Sequence, residues 1–144
     1  MLKLIPAIMS PELLAILAEM GHGDEIVLSD ANFPAVSSAQ RLVRADGHSV
    51  TAILEAVLKL MPLDTFVESP AAVMQIVNKP NESAPIWTEF QKHLDHAESR
   101  HVTISSVERF AFYERSKKAF AVVATGETAL YANIILKKGV IFPK

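Results

Sequence analysis

The chain has no cysteine. That excludes disulfides, a thiolate nucleophile and any cysteine-bound zinc. It also has no long apolar run. The two longest, Leu13–Ala18 and Ala119–Ala124, hold six residues each, whereas a membrane span needs about 20. Near the N-terminus there is a single lysine, Lys3, and the apolar stretch is flanked by Glu12 and Glu19. A signal peptide has a different layout, basic and then apolar. Missing too are a Gly-rich phosphate loop, a Gly-x-Ser-x-Gly elbow and a dinucleotide fingerprint. Nucleotide cofactors and acyl-serine chemistry therefore lack their apparatus, and the cytoplasm is the expected compartment. A net charge of −2 argues against nucleic acid as the main partner, because phosphate backbones select basic surfaces.

What the chain does have is apolar content. Of its 144 residues 50% are hydrophobic and 21% charged, against about 45–50% and about 25% in ordinary soluble domains. The length fits one domain, residues 1–144, that buries roughly 68–70% of its unfolded surface. The apolar surplus points to a buried contact between subunits. Charge is uneven along the chain, with net −5 over residues 1–72 and net +3 over residues 73–144. Two readings stand: scatter over a solvated surface, or complementarity between segments or subunits that meet at a site.

Punctuation along the chain predicts alternating helices and short strands. Ser10-Pro11-Glu12 starts a helix with a cap, a preset φ and a dipole-matched acid. Leu13, Leu14, Leu17 and Ala18 follow at helical spacing, and Gly21, with Gly23, stops it. Glu25–Ser29 reads as a buried strand, Asp30–Pro34 as a loop, and Val43–Gly47 as an extended piece ending in a turn. Ser49 caps a helix that buries Ile53, Leu54, Val57 and Leu58. Ala72–Val77 reads as a strand. A helix from Ser83 and Pro85 runs to about Ser99, and Val102–Ile104 reads as extended. Glu108–Lys118 reads as a short amphipathic helix, and Ala119–Thr125 and Tyr131–Leu136 as strands. This pattern defines a layered α/β domain with helices covering a central sheet.

Chemistry-bearing residues gather at element ends, where open α/β sheets bind ligands beyond the carboxyl ends of strands. His22 sits between Gly21 and Gly23, with Asp24 next. It is either part of a plain helix stop or a proton-transfer group, since histidine titrates near neutrality. Asp30 follows the next strand. Five extended residues span roughly 17 Å, so His22 and Asp30 share a pocket only by loop folding or through another subunit. Arg109 and Tyr113 lie four apart on one helix face. They form either a solvated helix end with Tyr113 in the core or a polyol-binding pair. Tyr131 and Asn133, alternate residues on an extended segment, share a face and suit hydroxyl groups or an ordinary edge strand. His93, His96 and His101 lack the His-Glu-x-x-His spacing of a zinc helix, so no metal site is expected.

Taken together, Ser10–Leu14, Glu19–Ile26, Ser29–Pro34, Arg44–Gly47, Arg109–Arg115 and Tyr131–Val140 resemble the L-fucose mutarotase and D-ribose pyranase family. The likeness spans residues 1–140 and is weakest over 78–104. It implies an α/β fold, ring-forming homo-oligomers that are often decamers, active sites near subunit contacts, and exchange of sugar anomers without a cofactor. By resemblance His22 is the catalytic acid, while Asp30, Arg109, Tyr131, Ala132 and Asn133 bind substrate. Asp64 and Tyr113 match positions that contact sugar in some members. Arg109 within Arg-Phe-Ala-Phe-Tyr-Glu-Arg favours the fucose branch. Where the family often has glycine this chain has Ala132, whose methyl group narrows the pocket or requires the backbone to avoid positive φ.

The implied chemistry suits these residues. Opening a cyclic hemiacetal needs one proton given to the ring oxygen and one taken from the anomeric hydroxyl, and a histidine does this near neutral pH. The partner expected is a monosaccharide, L-fucose first, with neither nucleic acid nor membrane. Pyranose–furanose exchange of ribose, or non-enzymatic monosaccharide binding in an accessory role to transport, are the alternatives.

Overall fold

Helix α1 (Pro11–Glu19) begins where Ser10 Oγ accepts the Leu13 amide at 3.1 Å, satisfying a donor that the first turn would otherwise strand. The computed structural model spans residues 1–144. After α1 come β1 (Glu25–Ser29), α2 (Ala35–Ser38), β2 (Leu42–Ala45) and α3 (Val50–Leu60). The second half carries β3 (Ala71–Met74), α4 (Ile86–Glu98), β4 (Ile104–Val107), α5 (Arg109–Lys118), β5 (Ala121–Thr125) and β6 (Ile134–Lys137). Ser49 Oγ caps α3 through the Ala52 amide, and Glu108 caps α5 through the Ala111 amide.

All six strands join one sheet in the order β2-β5-β1-β6-β3-β4. β1 to β5 run parallel and β6 alone runs against its neighbours β1 and β3. Alternate strand residues face opposite layers. Ile26, Leu28, Val73, Val123, Ile134 and Leu136 pack with α1, α3 and α4. Val27, Ala72, Met74, Val122 and Ile135 pack with Phe33, Ala35 and Phe112 beneath α2 and α5. The result is a three-layer mixed α/β fold with helices on both faces of the sheet. A bidentate Arg115–Glu25 pair ties α5 to the start of β1. No helix is long and apolar enough to cross a membrane.

Several boundaries differ from those the sequence predicts. Helix α1 ends at Glu19 with Met20 already extended, and Gly23 (φ +86°), not Gly21, takes the left-handed conformation. The short helix α2 falls where no element is expected. Ser83 caps nothing, and α4 starts at Ile86 with Pro85 at the N-cap position and no side-chain cap. β3 stops at Met74, and beyond it the Val77 amide leaves the ladder for the Tyr131 hydroxyl. β4 starts at Ile104, because Asp95 of α4 already takes the Val102 amide. In α5 only Phe112 and Ser116 are buried and Phe110 faces out, a narrower apolar stripe than an amphipathic helix presents. Tyr131 lies outside β6 at φ +56°, so strand alternation does not set its direction.

Candidate active site

Two clusters of chemical groups form, at opposite edges of the sheet. Because β1 and β6 are antiparallel, the end of β1 meets the start of β6, and the start of β1 meets the end of β6. The first contact builds a cleft at the carboxyl edge. The second builds a histidine–aspartate pair at the amino edge.

At the carboxyl edge Asp30 and Asn133 interlock. Asn133 Oδ1 accepts the Asp30 amide at 2.8 Å, and Asn133 Nδ2 donates to Asp30 Oδ2 at 3.2 Å. Ala132 also donates its amide to Oδ2 at 3.2 Å, and Asn32 donates to Oδ1 at 3.0 Å. Burial raises the Asp30 carboxyl above its ordinary value, outweighing the donors from Asn32, Ala132, Asn133 and Phe33. It is thus a more basic carboxylate than a solvated one. Asp30, Arg109, Tyr113, Tyr131 and Asn133 all line one cleft of about 260 Å³, with Phe33, Met74, Val77 and Leu130 as apolar walls. The Tyr131 hydroxyl accepts the Val77 amide at 3.1 Å, which leaves its own proton free to donate. The Trp87 indole donates to the Tyr131 carbonyl at 2.9 Å and helps hold that left-handed turn. Ala132 is fully buried and not among the residues at positive φ, so its methyl group requires no strained backbone there.

At the amino edge His22 Nε2 lies 3.0 Å from Asp64 Oδ1. The histidine side chain is 44% exposed and the aspartate 4%. Burial opposes ionisation of Asp64, but the Phe66 amide, the His22 hydrogen bond and the charges of His22 and Lys137 outweigh it, and the carboxyl sits below its ordinary value. The Phe66 ring leans on the imidazole at 5.3 Å between centroids, and Phe142 leans on Phe66 at 6.3 Å. The segment Lys137–Gly139 draws the two loops together. On one side Gly23 donates to the Lys138 carbonyl and Lys138 to that of Asp24. On the other Asp64 donates to Lys137 and Gly139 to Pro62.

The structure therefore joins Asp30, Arg109, Tyr113, Tyr131 and Asn133, and it separates them from His22 and Asp64. His22 lies between the end of α1 and the start of β1, away from the carboxyl ends of strands where open α/β sheets bind ligands. Tyr131 and Asn133 do face one cleft, though by a left-handed turn and not by strand alternation. Tyr113 is neither core nor fully solvated; it stands half-buried against Phe33 at 5.7 Å. His93 and His96 line a groove between α4 and α3, across from Glu55 and Lys59, and His101 pairs with Asp95. No three histidine or acidic side chains converge on a point where they could hold a metal ion. Sequence reasoning missed Trp87, Phe66 and Phe142. Their partners lie far off in the chain, and no local pattern marks them.

A mixed α/β sheet with a hydroxyl-reading cleft at one edge and a histidine–aspartate pair at the other suits a protein that moves protons on a small polyhydroxylated molecule. The chain belongs to the RbsD / FucU transport protein family, whose profile matches residues 3–141. It is 59% identical over 146 residues to the fucose mutarotase of Homo sapiens, covering 97% of this chain and 94% of that protein. The Streptococcus pneumoniae fucose mutarotase, solved in complex with L-fucose, superposes with a TM-score of 0.92 at 50% identity, covering 98% of this chain and all of that one. Bacillus subtilis RbsD, solved with D-ribose, is more distant, with a TM-score of 0.68 and 26% identity over 93% of this chain and 95% of its own.

Proposed function

We propose that the chain interconverts the α and β anomers of L-fucose, and that each working site combines the His22 edge of one copy with the Asp30 cleft of the next. The observation that carries this reading is the split itself. β1 is five residues long, roughly 17 Å, and it holds the two clusters apart within one copy. Head-to-tail contact between copies unites them, and contacts of that kind close into rings. Each edge also exposes apolar surface: Phe66 and Phe142 beside His22, Phe110 and Leu130 beside the cleft. The cleft volume of about 260 Å³ falls just short of the roughly 300–1,000 Å³ of complete ligand pockets. The ring is expected at ten copies from the family resemblance.

In the united site the sugar lies with its hydroxyl groups on Tyr131, Asn133, Tyr113 and Arg109. Protonated His22 gives a proton to the ring oxygen while the Asp30 carboxylate takes the proton of the anomeric hydroxyl. The bond between the anomeric carbon and the ring oxygen breaks, and a carbonyl forms. Rotation about the adjacent carbon–carbon bond presents the other carbonyl face. The ring hydroxyl then attacks it, returning one proton to His22 as Asp30 returns the other. Atoms and charge balance over the cycle, and only protons move. Positioned acid–base groups typically contribute about 10²–10⁴-fold.

Greater likeness to fucose mutarotases than to RbsD, together with Arg109 in the cleft, supports fucose over ribose. Magnetisation-transfer NMR on L-fucose, galactose and ribose tests the reading. The protein should accelerate exchange of L-fucose anomers most, and His22→Gln should lose that acceleration by about 10²-fold or more. Binding of fucose without faster exchange would point to an accessory binding protein instead.

A further inference from the structure

We infer that Asp64 is a positioning residue for His22: it fixes the imidazole as the Nε2–H tautomer and leaves Nδ1 as the nitrogen that exchanges protons with the sugar. This rests on the reading of His22 as the proton-transfer group, and it assigns Asp64 a task other than the sugar contact that family resemblance implies.

The geometry carries it. An ionised carboxylate only accepts hydrogen bonds, so the 3.0 Å contact between Asp64 Oδ1 and His22 Nε2 requires a hydrogen on Nε2 in both charge states of the ring. Protons can then enter and leave only at Nδ1. The low Asp64 carboxyl value, held down against burial by the Phe66 amide, His22 and Lys137, keeps the acceptor ionised. Accessibility divides the same way. The His22 side chain is 44% exposed and can meet a ligand, while the Asp64 side chain, at 4%, lies behind it.

The carboxylate is itself held in place. The Asp64 amide donates to the Lys137 carbonyl at 3.0 Å, and the Phe66 amide donates to Asp64 Oδ1 at 3.0 Å. The Phe66 ring then closes on the imidazole. The ring is thus gripped through one nitrogen and one face, and tautomer and orientation are set together, as in other carboxylate–histidine pairs.

The test uses the assembled full-length protein with ¹⁵N-labelled histidine in solid-state NMR, with His22 assigned by its loss in His22→Gln. At a pH where the ring is neutral, His22 should show a protonated Nε2 and a bare Nδ1. Asp64→Asn, which keeps the Oδ1 acceptor, should retain that form. Asp64→Ala should admit the Nδ1–H form and lower kcat for L-fucose exchange by about 10²-fold with KM little changed. A native spectrum with the proton on Nδ1 would overturn the assignment, and needs no variant to fold. So would Asp64→Ala raising KM at unchanged kcat, the signature of a sugar ligand. The tautomer is read whether or not the protein turns over fucose, so failure of the functional reading, seen as full exchange by His22→Gln, is a separate result.

Discussion

Asp64 and Asp30 are both buried aspartates next to the proposed chemistry, yet their environments push them opposite ways. For Asp64, hydrogen bonds and neighbouring charge outweigh burial and lower its value below 3.8. As pH falls, the unfolded carboxyl takes up its proton before the folded one. The stability Asp64 contributes is therefore complete above 3.8 and is lost as pH drops through the lower folded value. The Tm gap between the native protein and Asp64→Ala should be widest near neutral pH and shrink below 3.8, as calorimetry over a pH series would read. A gap constant down to about pH 3 would show that the carboxylate charge contributes nothing. For Asp30, burial wins and the value rises. Its charge opposes folding above the folded value and is relieved as pH falls through it, the cost of keeping a basic carboxylate at the cleft. His22 and Asp30 stand out in the sequence, between glycines and in a polar loop after a strand. Asp64 stands out only through family resemblance, because its partner is 42 residues away.

Among the elements, β6 and the segment after it matter most, since they touch both half-sites. A Cβ on Gly139 would lie 2.5 Å from the Leu63 carbonyl oxygen and 2.8 Å from the Asp64 Cα. Both are backbone atoms and cannot rotate away. Gly139→Ala should therefore push the Leu63–Asp64 segment outward, costing about 1–3 kcal/mol and several degrees of Tm. Because that segment carries Asp64, fucose exchange measured well below the Tm should also fall. Full exchange in a folded Gly139→Ala protein would show that the segment tolerates the shift. The other end of β6 explains an error of local reading. Period-two logic extends the strand back to Tyr131, but the Val77 amide and the Trp87 indole hold Tyr131 in a left-handed turn. Those partners lie 54 and 44 residues away, beyond the reach of any window of local pattern.

Across the whole molecule the strand order interleaves the two halves of the chain. β5 and β6, from the positive half, flank β1 from the negative half, so the charge division along the sequence is not a division in space. Arg115–Glu25 joins the two halves within one copy. The spatial division that remains is between the two edges of the sheet. If each site spans two copies, His22→Ala and Asp30→Asn are each inactive alone but complement when co-assembled. An intact His22 edge then meets an intact Asp30 cleft at about a quarter of randomly formed contacts. Co-expressed variants should regain about that fraction of native exchange, as magnetisation transfer would read. No recovery in confirmed mixed assemblies would mean that each copy holds its own complete site. Light scattering should also find an oligomer, and a monomer at micromolar concentration would contradict the ring.

The sequence by itself determined the alternation of helices and strands, the caps at Ser10 and Ser49, the β1 boundaries, and the residue types that do the chemistry. Those depend on neighbours a few positions apart: a hydroxyl before a turn of helix, or an apolar run between polar ends. Only the tertiary structure decided which candidates meet. An antiparallel β6 among five parallel strands brings Asn133 to Asp30 and Lys138 to Gly23, and so divides the candidate site between two edges. Strand order is fixed by packing two apolar faces over long chain separations. That balance leaves no mark within the few residues around His22 or Asp30, and it is what turns one list of site residues into two halves.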